Sequence, residues 1–115
     1  MITIWHNPRC SKSRQTLALI EASGAEVSIR RYLENPPTLA ELEAAQAALG
    51  LRPIEMMRNS EGRFKELGLS KDSDETTLMQ AMAANPILIE RPMVFRGDRA
   101  IIGRPPEAVH SLLAR

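Results

Sequence analysis

The chain has one cysteine, few aromatic residues and almost no excess charge. Its only cysteine, Cys10, cannot form an internal disulfide, and a lone thiol is best tolerated in a reducing compartment. Aromatic residues make up 3% of the sequence, too few for a surface that stacks nucleic-acid bases. The net charge of +1 lacks the basic excess that binding a phosphate backbone requires. We therefore expect no nucleic-acid partner.

Long hydrophobic runs are also missing. No stretch approaches the ~20 apolar residues that a membrane span needs, and the N-terminus lacks the cationic and apolar segments of a signal peptide. These absences predict a cytoplasmic protein with no membrane partner. A length of 115 residues fits a single domain, which we place over residues 1–115 and expect to be a monomer.

The common cofactor and metal motifs are absent as well. The sequence has neither a dinucleotide-binding glycine fingerprint nor a Walker loop, and its two histidines and one cysteine are too few for a structural zinc site. A phosphatase-type loop would need an arginine six residues after the cysteine, where this chain has Thr16. We expect no bound cofactor and no metal, which leaves chemistry based on the thiol.

Periodicity predicts the element order β, α, β, several helices, β, β, α. The first strand covers 2–5, a helix begins at Ser11, and the second strand covers 27–32. Thr38, with Glu41 three residues later, predicts a capped helix at the start of a helical region over about 38–85. Strands over 93–96 and 100–102 form a hairpin, and a last helix begins at Pro105–Pro106. This order is typical of an α/β fold with a thioredoxin-like mixed sheet, flanking helices and a helical insertion between the second and third strands.

Cys10 lies where the first strand turns into the first helix. Unpaired N–H groups and the helix dipole at that position favour a thiolate over a thiol. Nearby side chains supply further positive charge or hydroxyl donors: His6, Arg9, Ser11, Lys12, Ser13 and Arg14. The alternatives are that Cys10 is a small buried hydrophobic residue and that His6 only binds a loop carbonyl.

Arginine is the second notable feature. Of the 15 basic residues, 12 are arginine, the side chain suited to bidentate binding of oxyanions. Where these arginines meet in the fold therefore matters more than their number.

Four separated blocks resemble the glutaredoxin-coupled arsenate reductases of the ArsC family. They are HNPRCSKSR at 6–14, YLENPP at 32–37, NPILIERP at 85–92 and GRP at 103–105. The resemblance runs from Ile2 to about Leu113, and four blocks in one order are far more specific than any single block. Some residues depart from the better-known members, including Arg9, Lys12 and Glu90, and they leave the preferred substrate open.

The resemblance implies a role for each matching residue. Cys10 is implied as the nucleophile, and His6 as the neighbour that favours its thiolate. Arg58, Arg91 and Arg104 are implied as ligands of the oxyanion, with Ser13 and Pro92 in support and a cis bond before Pro92. Arg58 rests on a shorter match than the other two arginines, and its alternative is a solvated surface charge.

The implied reaction reduces arsenate to arsenite through an adduct between the Cys10 sulfur and arsenic. Glutathione is the implied co-substrate and glutaredoxin the implied protein partner. Because the chain has no second cysteine to resolve such an adduct, an external thiol is a chemical necessity.

Two other functions stay open. Spx-like regulators of the same superfamily bind RNA polymerase and sense redox state through a Cys-x-x-Cys pair, whose second position is Ser13 here. A general thiol-redox module without oxyanion specificity is the other alternative. Arginine substitutions would distinguish this module from a reductase, because only the reductase needs them to bind its substrate.

Overall fold

The computed structural model describes residues 1–113, so Ala114 and Arg115 of the predicted domain lie outside the described residues. Two compact units are present. The first combines residues 1–35 with the chain from Arg91 onward, and the second is the intervening segment Pro36–Glu90.

The first unit contains a four-stranded mixed sheet in the order β2-β1-β3-β4. Its strands are β1 (Ile2–His6), β2 (Val27–Arg31), β3 (Met93–Arg96) and β4 (Arg99–Ile102). Strand β1 runs parallel to β2 and antiparallel to β3, and β3 runs antiparallel to β4. A long connection is needed between the parallel strands, and helix α1 (Ser11–Ala22) supplies it. This arrangement confirms the predicted α/β fold with a thioredoxin-like mixed sheet.

The core of the first unit lies between the sheet and its helices. Six aliphatic side chains are almost completely buried there: Ile2, Ile4, Ile20, Val94, Val109 and Leu112. Each contributes about 1.5–3 kcal/mol of transfer free energy. Val109 ends the 3₁₀ turn Pro106–Val109, and Leu112 belongs to α5 (His110–Leu113). This packing holds β1 in place, and the Cys10 loop follows the end of that strand.

The second unit is helical, as the predicted insertion required. It contains α2 (Leu39–Leu49), α3 (Gly62–Glu66), α4 (Glu75–Ala84) and 3₁₀ turns at Pro53–Met56 and Pro86–Leu88. The predicted capping box is present: Glu41 N–H donates to the Thr38 hydroxyl at 3.1 Å, and Thr38 N–H donates to the Glu41 carboxylate at 2.9 Å. Helix α2 packs against α4.

Three element boundaries differ from the prediction. Strand β2 ends at Arg31 because the Arg31 carbonyl accepts the turn N–H groups of Glu34 and Asn35, so Tyr32 leaves the ladder. Strand β4 begins at Arg99, which pairs with Arg96 and leaves Gly97-Asp98 as a two-residue turn with a φ of 62° at Gly97. Strand β1 continues to His6. Within residues 1–113, no helix has both the length and the apolar character needed to cross a membrane.

Candidate active site

A tight turn joins β1 to α1. The Cys10 N–H donates to the Asn7 carbonyl at 3.0 Å, with Pro8 and Arg9 between them. Pro8 suits the second position of such a turn because its φ is already fixed. The Asn7 side-chain oxygen accepts the Arg9 N–H at 3.0 Å, and the Arg14 guanidinium donates to the Pro8 carbonyl at 3.0 Å. Three hydrogen bonds therefore hold the segment that precedes the thiol.

Cys10 is the N-cap residue of α1. Its backbone is extended, with φ −95° and ψ 122°, and its carbonyl accepts the first helical bond from Arg14 N–H at 3.0 Å. An N-cap side chain usually places an oxygen near the N–H groups of the second and third helical residues. Here those residues are Lys12 and Ser13, and the cap residue carries a sulfur that makes no side-chain capping hydrogen bond of the usual kind. This position suits a thiolate, which is a stronger acceptor than a thiol.

The pKa of the Cys10 thiol is lowered from its ordinary value. Burial acts to raise the pKa, because the side chain is only 8% exposed, but the N–H groups of Ser13 and Lys12 and the guanidinium of Arg91 outweigh it. Arg91 acts through both a hydrogen bond and its charge. The structure thus favours the predicted thiolate and supplies its main cationic partner from a distant segment.

Arg104 is the second arginine at the sulfur. Its Nη2 lies 3.7 Å from the Cys10 Sγ, and its Nε donates to the Arg91 carbonyl at 2.8 Å. The peptide bond before Pro92 is cis, as the resemblance implies, and the Arg104–Pro105 bond is also cis. The two arginines that the resemblance proposed for the first unit therefore lie beside the thiol.

Gly103 lets the segment that carries Arg104 approach α1 closely. A Cβ atom at this position would lie 2.5 Å from the Thr16 hydroxyl oxygen and 2.8 Å from Cγ of Pro92. The Gly103 N–H donates to the Pro92 carbonyl at 2.9 Å. Only a residue without a side chain fits between Thr16 and Pro92, so Gly103 sets the position of the next residue, Arg104.

His6 and Ser13 form a buried pair behind the turn. The His6 Nδ1 lies 2.7 Å from the Ser13 hydroxyl, which also accepts the Asn7 N–H at 3.0 Å. Ser13 is completely buried, and a buried hydroxyl needs an acceptor for its proton. We therefore assign the hydroxyl as donor to Nδ1, which places the ring proton of His6 on Nε2.

The expectation that His6 adds positive charge does not hold at pH 7. Burial, the charge of Arg31 and the charge of Arg14 all lower the pKa of His6, and Glu21 opposes them only in part. The imidazole is therefore neutral at pH 7. The Ser13 hydroxyl, expected as a donor to the sulfur or to an anion, is instead engaged with His6 and Asn7, while the Ser13 N–H acts on the sulfur.

Arg58 belongs to the second unit, and its surroundings differ. Its Nη1 lies 2.8 Å from a Glu61 carboxylate oxygen, and its Nε lies 3.9 Å from a Glu90 oxygen. A short antiparallel bridge pairs Met57 with Ile89, and on either side of it the Arg58 N–H donates to the Leu88 carbonyl and the Glu90 N–H to the Met56 carbonyl, both at 2.8 Å. Arg58 is thus a partly buried member of an ion-pair cluster. It is therefore not the solvated surface charge that was its alternative role.

The chemistry available at Cys10 is that of a nucleophile inside an anion-binding frame. Backbone N–H groups and the Arg91 guanidinium act on one sulfur, with Arg104 beside it. The same groups can stabilise the oxygens of a tetrahedral oxyanion that the sulfur attacks. In the described part of the chain, no three His, Cys, Asp or Glu side chains cluster in a way that could hold a metal ion.

Three residues of this region were not singled out in the sequence. Asn7 holds the turn, Gly103 lies against Thr16, and Arg31 acts on His6. Asn7 carries a usable signal, because an Asn-Pro pair after a strand is typical of a side-chain-stabilised turn. The roles of Gly103 and Arg31 depend on contacts between distant segments, and the periodicity of the sequence does not predict such contacts.

Comparison with known proteins extends over nearly the whole chain. The sequence pattern of the ArsC family matches residues 5–112. The uncharacterised protein YfgD of Escherichia coli is 47% identical, covering 94% of this chain and 92% of that protein. An arsenate reductase of Neisseria meningitidis is 43% identical, covering 97% of each chain. The solved structure of an arsenate reductase from Vibrio cholerae superposes with a TM-score of 0.91 at 45% identity, covering 96% of this chain and 95% of that one.

Proposed function

The chain belongs to the ArsC family, and from the geometry at Cys10 we propose that it is an arsenate reductase that uses one cysteine of its own and external thiols. One observation carries the proposal: a thiol with a lowered pKa lies at the start of α1 with Arg91 and Arg104 beside it. A reductase that attacks an oxyanion needs a nucleophilic sulfur and fixed cations in the same place.

In the first step, the Cys10 thiolate attacks the arsenic atom of arsenate. An As–S bond forms, one As–O bond breaks, and the leaving oxygen departs as water after taking up a proton, so arsenic stays pentavalent. Because thiolate and arsenate are both negative, the attack requires cations near the oxygens. Arg91 and Arg104 supply them from beside the sulfur, and Arg58 is the third proposed ligand.

Reduction requires two electrons, and the chain has only one thiol. We assign the missing thiols to glutathione and glutaredoxin. Glutathione displaces a second oxygen from the adduct as water. A glutaredoxin thiolate then attacks the glutathione sulfur, forming a mixed disulfide and leaving the electron pair on arsenic, which becomes trivalent. Water releases arsenite from Cys10, and the balance is arsenate plus two thiols giving arsenite, one disulfide and water.

His6 and Ser13 enter this proposal as positioning residues. The Ser13 hydroxyl is bonded to His6 and Asn7, and its own N–H lowers the pKa of Cys10. Fixing Ser13 therefore keeps the N–H aimed at the sulfur. Pro92 has a similar place beside Arg91, since its carbonyl binds Gly103 N–H next to Arg104.

The test is an assay of arsenite release with purified protein, arsenate, glutathione, glutaredoxin and a system that keeps glutathione reduced. We expect turnover by the native protein and none by Cys10→Ser. Serine is a favoured N-cap residue, so this substitution leaves α1 intact, which circular dichroism can check. Omitting glutathione and glutaredoxin must also stop turnover.

A native protein that releases no arsenite in the complete assay contradicts the proposal. If it nevertheless forms a mixed disulfide with glutathione, the general thiol-redox module is the correct function. Association with RNA polymerase in the absence of arsenate turnover identifies the Spx-like regulator instead.

A further inference from the structure

An open cleft lies in the first unit, on the side of the turn that precedes Cys10. Its volume is about 250 Å³, and it is lined by residues 6–9 together with Arg31, Leu33 and Glu34. Small-molecule pockets usually have volumes of ~300–1,000 Å³. A cleft slightly below this range suits a small ligand that stays partly in solvent and leaves after each turnover.

The charged side chains of the cleft are two arginines and one carboxylate. Arg31 and Glu34 form an exposed ion pair, with 3.8 Å between Nη1 and Oε2. Arg9, from the turn that precedes Cys10, is a second exposed cation of the lining. Arg31 is the partner of His6 in the parallel register of β1 and β2, and its charge lowers the pKa of that buried histidine. These three side chains have a net charge of +1.

The geometry points to glutathione as the ligand of this cleft, an inference that rests on the proposed function for its role in turnover. Glutathione carries two carboxylates and one ammonium group, and its net charge of −1 is opposite to that of the cleft. Arg9 and Arg31 match the carboxylates, since arginine binds them through charge-assisted hydrogen bonds. Glu34 matches the ammonium group, and Leu33 gives the tripeptide an apolar side to lie against.

The position of the cleft also fits the reaction. Arg9 lines it and is followed directly by Cys10, and the hydrogen bonds from Arg9 N–H and Cys10 N–H to Asn7 hold both residues in one turn. Arg14 binds the Pro8 carbonyl and so supports the same turn. A tripeptide anchored in the cleft by its charged ends therefore lies against the turn that carries Cys10.

The inference is tested by binding of S-methylglutathione, measured by calorimetry. The methyl group blocks the thiol, so this probe cannot react with Cys10 and needs no arsenate. We expect saturable binding to the native protein and a dissociation constant about tenfold higher in Arg31→Gln and in Arg9→Gln, because each loses a charge-assisted bond. The matched control is Arg52→Gln, another exposed arginine with a carboxylate partner at 3.6 Å, which lies in the second unit and should bind like the native protein.

Absence of saturable binding to the native protein at millimolar probe overturns the inference. So does binding that neither Arg31→Gln nor Arg9→Gln weakens relative to Arg52→Gln. The arsenite assay fails or succeeds independently: a protein that binds the probe through these arginines but releases no arsenite has the cleft without the proposed reaction. In an active enzyme, Arg31→Gln must raise the KM for glutathione by more than it raises the KM for arsenate.

Discussion

The two units of the molecule use their arginines in different ways. In the first unit, Arg91 and Arg104 act on the sulfur of Cys10, and the Nε of Arg104 is fixed by the Arg91 carbonyl. In the second unit, Arg58 acts on two carboxylates, at 2.8 Å and 3.9 Å. An anion that reacts with the sulfur therefore has two guanidinium groups beside it in the first unit. If Arg58 serves as the third ligand proposed above, it has to exchange a carboxylate for the anion.

The difference ranks the three proposed oxyanion ligands. Arg91→Ala and Arg104→Ala are each expected to raise the KM for arsenate by roughly tenfold to a hundredfold, since a charge-assisted hydrogen bond contributes about 1.5–3 kcal/mol. Arg58→Ala is expected to raise it by only about twofold to fivefold, because its ion pairs offset part of the binding. Steady-state kinetics with saturating thiols gives all three values. If Arg58→Ala raises the KM for arsenate as much as the other two substitutions do, the arginines of the two units do not differ in the way described.

The same variants separate anion binding from activation of the sulfur. Arg91 lowers the pKa of Cys10, so Arg91→Ala must raise that pKa. Since only the thiolate is alkylated, the pH profile of the reaction with iodoacetamide shifts to higher pH in this variant. Arg58→Ala provides the control, and a shift of the same size there would show that the change is not local to the sulfur.

Glycine packing gives the next contrast between the units. At Gly103, a Cβ would lie 2.5 Å from the Thr16 hydroxyl oxygen and 2.8 Å from Pro92, whereas at Gly62 in the second unit it would meet nothing within 4 Å. Gly103→Ala is expected to lower the free energy of unfolding by about 1–3 kcal/mol, the usual range for overpacking. Gly62→Ala, on α3, is expected to be neutral or slightly stabilising. Urea unfolding measures both, and equal losses would remove the argument for close approach at Gly103.

Local sequence signals were enough to predict most of the secondary structure. Thr38 and Glu41 are three residues apart, so the capping box and the start of α2 follow from the sequence alone. The parallel pair and the hairpin likewise follow from β-branched runs and from the glycine turn at 97. The prediction of a boundary was wrong where a hydrogen bond from outside the element determines where the element ends. Tyr32 is an example, because the carbonyl of its neighbour Arg31 accepts two turn N–H groups and ends β2 there.

The active-site geometry depends on pairs that are far apart in the sequence. Arg104 lies 94 positions from Cys10, and Gly103 lies 87 positions from Thr16. Periodicity contains no information on such distances, so the arginines were proposed from family resemblance and the role of Gly103 was not proposed at all. The neutral state of His6 was missed for a similar reason, because it depends on burial and on Arg31 in the neighbouring strand.

Hydroxyl side chains provide a third, smaller contrast. Ser13 is completely buried and bonds both His6 and Asn7, while Thr38 caps α2 at an exposed position. Ser13→Ala leaves two partners unsatisfied and is expected to cost about 1–3 kcal/mol of unfolding free energy. Thr38→Ala loses one cap, which costs about 1 kcal/mol. If Ser13→Ala proves no more destabilising than Thr38→Ala in urea unfolding, water replaces the lost hydroxyl and the buried network is weaker than its geometry indicates.

The smallest expected effect tests the exchange that Arg58 has to make. Glu61→Gln removes the charge of its nearest carboxylate partner while keeping the size of the side chain. We expect the KM for arsenate to fall by about twofold, because partly exposed ion pairs contribute little. In the Arg58→Ala background, the same Glu61→Gln change should leave the KM unaltered, and the double-mutant cycle isolates this coupling. A fall of equal size in both backgrounds means that Glu61 acts on the anion through its own charge, and Arg58 would then be a structural residue of the second unit.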